Sequence, residues 1–343
     1  MLGYIQYPRW IHPEVIPGLS VPRWYGIMYI LAFLVAYLLF MYQLKRKEEK
    51  PNRDLVLDMF FWGIVGLLVG ARAAFVLIYD TSGDLLRQPW KIILPLSFEG
   101  GRIRFTGLSG MSYHGGLVGT IIAIGIFMRV KKIDGLEWGD MLIAGIPLGY
   151  TFGRLGNFIN GELYGRVTAS ALGMIFPVSN PQQQEFSAGL PWVRDFCAQI
   201  GLPITGSTVN LPRFPSQLFE GLFEGLVLWL ILWFIVRKRR PYKGFVIGCY
   251  VLGYGIFRFL IEYTREPDWG IGYPITLVHL DNPMIQFSPF NFTTGQILCA
   301  IMIVGAVVFM LIVRSRARQG NAGAPESPQP SGRKLRKKLQ KGS

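Results

Sequence analysis

The stretch GRLGNFINGELYGR, residues 153–166, places Arg154, Asn157, Asn160 and Glu162 at the end of an apolar run. Arginine offers a planar fork of N–H donors that matches phosphate oxygens. The amides and the carboxylate suit the hydroxyls of a polar headgroup. Gly153, Gly156 and Gly161 would let such a group come close to the backbone. A second set, Tyr254, Arg258 and Glu262, recurs every fourth residue of another apolar run and so shares one helical face. His114, in SYHGGLVG, is the histidine expected near these sets, and Tyr25, in PRWYG, adds a phenol. Histidine is the usual side chain for moving a proton near neutral pH. Together these residue types suit the phosphate ester and hydroxyls of a phospholipid headgroup. No nucleophile stands out, because Ser112 lacks a Gly-x-Ser-x-Gly context. The attacking group would then belong to the substrate.

Simpler readings of the same residues stay open. An arginine near a helix end can snorkel to the headgroup region, and Arg72, in GARAAFVLIY, suits either that or a phosphate contact. Arg258 can instead be paired with Glu262 or Glu162 in a structural network. His114 can be structural rather than a base. The three cysteines are scattered and the three histidines lie at no metal-ligand spacing, so neither a disulfide framework, a metal nor a cofactor is expected.

The elements that must position these groups are membrane helices. Of the 343 residues, 51% are hydrophobic, and apolar runs long enough to cross a bilayer recur seven times. They fall near 25–44, 55–79, 111–130, 140–160, 217–237, 244–263 and 293–313. The net charge of +14 is not spread evenly. Alternate segments (45–54, 129–132, 237–243 and the tail from Arg314) hold 22 Lys and Arg, against 10 in the intervening ones. This positive-inside pattern places the N-terminus outside and the C-terminus inside, and it removes nucleic acid as a partner. The expected fold is an all-α polytopic membrane protein with a catalytic domain over residues 1–313 and outer loops at 80–110 and 161–216. The longer loop would make a small outward-facing cap. FEGGRIRFTGLSG within 80–110 alternates like strands, and residues 314–343 read as a basic, disordered cytoplasmic tail able to touch anionic lipid. With this orientation the polar sets are expected at one depth on the outer side. Gly115/Gly119, Gly221/Gly225 and Gly244/Gly248 read as sites of close helix packing.

The sequence resembles the bacterial phosphatidylglycerol–prolipoprotein diacylglyceryl transferases. GRLGNFINGELYGR is similar to that family's signature segment, and PRWYG (22–26), HGGLVG (114–119), PSQLFEGLFEG (215–225) and GYGIFRFLIEYTREPD (253–268) follow the family's order. The resemblance implies an inner-membrane enzyme with seven helices and an outward-facing site. It moves the diacylglyceryl group of phosphatidylglycerol to the lipobox cysteine of a prolipoprotein signal peptide, forming a thioether and releasing glycerol 1-phosphate. The matching positions are Tyr25, His114, Arg154, Asn157, Glu162, Gly165, Tyr254, Arg258 and Glu262. The implied roles are a phosphate clamp for Arg154 and Arg258, headgroup positioning for Asn157 and Glu162, and lipid or Arg258 orientation for Tyr254. His114 is the candidate base for the thiol. Two departures stand out. Phe214 occupies the place before PSQL where relatives often carry histidine, and the approach to His114 is longer than usual. The rival of another class is a transporter or flippase of anionic phospholipid, which should show internal repeats and a polar path across the membrane. The sequence has no visible repeat.

Overall fold

The computed structural model describes residues 3–16, 18–19, 22–48, 52–79, 96–99, 102–105, 111–177, 185–267 and 271–322. The chain is mostly helical and divides into two compact units, Pro8–Glu162 and Met1–Tyr7 with Leu163–Ser343.

In the first unit α1 (Trp24–Lys47), α2 (Arg53–Ala74) and α3 (Tyr113–Val130) are followed by α4 (Gly135–Ile143) and α5 (Ile146–Ile159). The starts of α2, α3 and α4 are fixed by side-chain caps, from Asn52, Ser112 and Asp134. Helices α2 and α3 pack at the distance that only small residues allow. A Cβ at Gly119 would lie 2.8 Å from Gly70 Cα, and one at Gly66 would lie 2.5 Å from Ala123 Cβ. One end of the unit is filled by Phe40, Leu44, Val56, Met59, Phe127 and Met141. Beside it Gln43 donates to the Met141 carbonyl at 2.7 Å and Lys47 pairs with Glu137. The span expected at 140–160 is interrupted instead of continuous. Helix α4 ends at Ile143, and α5 restarts after Gly145 with Pro147 in its first turn, where the missing N–H costs nothing. Six helices among the described residues are therefore long and apolar enough to cross a membrane, and neither α4 nor α5 is one of them.

In the second unit α6 (Pro191–Ile200) belongs to the segment expected to form a cap, and α7 (Ser216–Arg239), α8 (Phe245–Ile261) and α9 (Thr294–Ala322) are the long apolar helices. Helix α7 contains two π-type stretches, Gly221–Val227 and Leu232–Val236. Gly248 of α8 lies where a Cβ would come within 2.9 Å of the Met310 sulfur of α9, and Gly244 starts α8 at φ +85°. The segment before α7 has its own core, with Val167, Val193, Phe196, Cys197 and Leu211 buried together. Strands there are short: β1 (Ile5–Gln6) pairs in parallel with Met174–Ile175, and Phe186–Ser187 runs antiparallel to Thr208–Val209. The alternation in the 80–110 loop folds as two antiparallel strands, Leu96–Glu99 and Arg102–Phe105, while the remainder of that loop lies outside the described residues. Helix α9 continues through Arg314 to Ala322, past the point where the tail was expected to begin. Residues 314–322 are polar yet rich in arginine and alanine, good helix formers that extend a helix beyond its apolar part. Residues 323–343 lie outside the described residues.

Candidate functional site

The residues singled out in the sequence fall into two clusters, one in each unit. In the first unit, α5 carries the signature segment and packs on α1. Gly149 sits where a Cβ would be 3.0 Å from the Ala32 carbonyl, and Gly156 where it would be 3.2 Å from the Tyr25 ring. Gly156 therefore serves contact between helices and not headgroup clearance. Gly153 keeps the clearance reading, since a Cβ there meets nothing within 4 Å among the described residues. Gly161 ends the helical path at φ +64°, a conformation that glycine adopts without strain.

Polar side chains cluster next to this packed face. Arg154 donates Nε–H to the Tyr150 hydroxyl at 2.7 Å, with its guanidinium carbon 4.8 Å from that ring's centroid. Its Nη1 makes a long 3.5 Å bond to Asn157 Oδ1. The Asn157 amide, 5% exposed, is oriented from the other side, because its Nδ2 donates to Glu162 Oε1 at 3.0 Å. Asn160 Nδ2 reaches the same oxygen at 3.4 Å, and the Glu162 amide closes back on the Asn157 carbonyl at 3.1 Å. Tyr25 contacts Tyr29 through its hydroxyl at 3.1 Å. The structure thus brings Tyr25, Arg154, Asn157, Asn160 and Glu162 into one clasp. His114 is exposed at the start of α3 with its ring edge-on to Tyr113, and no hydrogen bond among the described residues joins it to that clasp.

The second cluster joins α7, α8 and α9. Arg258 Nη1 lies 2.9 Å from Glu220 Oε1 and 3.8 Å from Glu224 Oε1, while its Nη2 lies 2.9 Å from Glu262 Oε2. Arg265 meets the same Glu220 oxygen at 2.5 Å and Glu262 at 3.5 Å. Thr293 donates to Glu262 Oε1 at 3.1 Å, and Gly295 leaves the room this carboxylate fills. Glu220 and Glu224 are fully buried, a placement that burial penalises unless opposite charges stand close. Arg258 is therefore held by carboxylates, among them the Glu262 partner that the sequence left open. The Tyr254 ring lies tilted beside that of Tyr250, 6.0 Å between centroids, one turn before Arg258.

Gly165 and Arg166 do structural work in the small subdomain. The Gly165 amide donates to the Phe214 carbonyl at 2.8 Å, and a Cβ at Gly165 would lie 3.1 Å from Phe214 Cβ and nearer still to the Thr264 carbonyl. Phe214, found in the histidine position, completes this crossing through its own amide to the Arg166 carbonyl at 3.0 Å. Arg166 is buried and donates to the Pro283 and Gln286 carbonyls at 2.7 and 2.6 Å. Buried Arg213 pairs with Glu266 at 2.6 Å and lies over the rings of Tyr164 and Phe186. Burial pushes the Cys197 thiol up, away from the reactive thiolate form.

Sequence reasoning missed Glu220, Glu224, Arg265 and Tyr150. The signal for the first two was present, since two carboxylates four residues apart in an apolar span require partners.

Among the described residues, six helices long and apolar enough to cross a membrane, with charged and amide side chains networked at helix ends, define a multi-pass membrane protein. Residues 15–312 match the family model for prolipoprotein diacylglyceryl transferase. The chain belongs to that family. A relative from Treponema denticola named phosphatidylglycerol–prolipoprotein diacylglyceryl transferase is 48% identical over 325 residues, covering 91% of this chain and 95% of its own length. Relatives of the same name from Treponema pallidum (88% of this chain, 93% of the relative) and Chlorobaculum tepidum (92% and 94%) are 44% and 39% identical.

Proposed function

We propose that this protein transfers the diacylglyceryl group of phosphatidylglycerol to the lipobox cysteine thiol of prolipoprotein signal peptides. The cysteine sulfur attacks the glyceryl carbon, the carbon–oxygen bond to phosphate breaks, and its electron pair leaves with glycerol 1-phosphate. The thiol proton passes to a base, for which exposed His114 at the head of α3 is the candidate. The observation that carries this reading is the Arg154–Asn157–Glu162 clasp on the segment most similar to the family's signature. A guanidinium oriented in advance stabilises charge as it grows on the departing phosphate, and so lowers the barrier without paying for reorganisation. Asn157, Asn160, Glu162 and Tyr25 position the headgroup hydroxyls. Glu220, Glu224 and Glu262 hold Arg258 in place and offset its charge, so its role is to tie α7 to α8 more than to clamp phosphate. Tyr254 orients Arg258, and Gly165 keeps the signature segment against the Thr264 and Phe214 backbone.

The proposed setting is the bacterial inner membrane, with the N-terminus and active site facing outward and the basic C-terminus inside. There α4 and α5 together supply the seventh crossing. Membrane lipids surround the helices, and nucleic acid is no partner. Purified protein incubated with phosphatidylglycerol and a lipobox peptide should give a peptide heavier by one diacylglyceryl group, together with glycerol phosphate. Movement of intact lipid between leaflets without that product would favour a flippase.

A further inference from the structure

We propose that Tyr150 is a positioning residue for Arg154, setting the plane of the guanidinium so that its Nη end meets the lipid phosphate. The inference rests on the proposed reading of Arg154 as the phosphate ligand. Tyr150 and Arg154 are one turn apart on α5, so their side chains lie along the same face. The 2.7 Å bond from Nε–H to the phenol oxygen is shorter than the 3.5 Å contact between Nη1 and Asn157. Both of these contacts are to neutral groups, a phenol and an amide. A neutral acceptor orients the cation without cancelling the charge needed by an anionic ligand.

The position of the bond matters. An arginine can grip a phosphate side-on through Nε and one Nη, or end-on through both Nη atoms. A phenol at Nε blocks the side-on mode. The long 3.5 Å contact between Nη1 and Asn157 is the one a phosphate oxygen can readily replace. Helical geometry adds clearance. At about 100° per residue, Gly153 lies between the face packed on α1 (Gly149, Gly156) and the stripe of Tyr150, Arg154 and Asn157. That is where a Cβ would meet nothing among the described residues. A hydroxyl in an apolar helix is costly unless it is bonded, and a leucine or phenylalanine would serve packing equally well.

The test compares wild type with Tyr150→Phe, which keeps the ring over the guanidinium and removes only the hydroxyl. Two lipids are used with one lipobox peptide: phosphatidylglycerol, and an analogue whose phosphodiester is replaced by a neutral methylphosphonate. The ratio of their kcat/KM values is independent of how much protein is folded. The ratio should fall about ten-fold in Tyr150→Phe, because loss of a hydrogen bond to a charged group is felt mainly by the anionic lipid. Thermal unfolding of the variant should match wild type. An unchanged ratio overturns the proposal, as does a variant that no longer folds, which would mark the hydroxyl as structural. Absence of any transfer by wild type would defeat the transferase reading itself, an outcome distinct from the other two.

Discussion

Arg154 is oriented from two sides by residues of its own helix. Arg154→Ala should lower turnover by roughly 10²–10³-fold, the cost of losing a donor to developing negative charge. A near-normal turnover number measured in proteoliposomes would contradict the assignment. Cys197 gives the opposite expectation. Its thiol is buried in the small subdomain and pushed up by that burial, so Cys197→Ser should transfer lipid at the wild-type rate. Thiol-specific reagents should label it slowly in folded protein. Glu220 belongs to a third class. It bridges Arg258 and Arg265 while fully buried, so Glu220→Ala leaves two cations short of a partner and should destabilise by about 3–5 kcal/mol, read as a lower unfolding temperature in detergent.

At the scale of elements, glycine decides which helices approach closely. A valine at position 119 would have to occupy space filled by the Gly66 and Gly70 backbone, so Gly119→Val should separate α2 from α3. Overpacking of this kind costs about 1–3 kcal/mol, and more if the helices cannot part. Helix α3 carries His114, so activity should fall together with unfolding temperature in that variant. The helices and several of their glycine contacts were legible in the sequence because apolar length and four-residue spacing are local signals. The break between α4 and α5 was harder to read. Gly145 and Pro147 are tolerated inside many membrane helices, and only the tertiary packing decides whether the chain turns there. The clasp of Arg154, Asn157 and Glu162 was legible because its members lie within nine positions on one short segment. Of the carboxylate partners of Arg258, Glu262 was legible one turn away on the same helix, whereas Glu220 and Glu224 come from a different helix and distance in sequence hides which cation they pair with. Gly165 read as part of the substrate site, yet the residue that explains it is Thr264, nearly a hundred positions away.

For the whole molecule, charge asymmetry between alternate loops and the order of the helices together support one orientation in the membrane. A cysteine introduced near Lys47 should react only with reagents that cross the membrane, and one near Asp281 should react with those that do not. The reverse pattern would invert the proposed topology. The most direct measurement incubates purified, full-length protein in phosphatidylglycerol vesicles with a lipobox peptide and follows peptide mass and released glycerol phosphate. The proposed transfer gives one diacylglyceryl addition per cysteine, matched by one glycerol phosphate and abolished when the peptide cysteine is replaced by serine. Folded protein that gives neither product with the intact cysteine would contradict it.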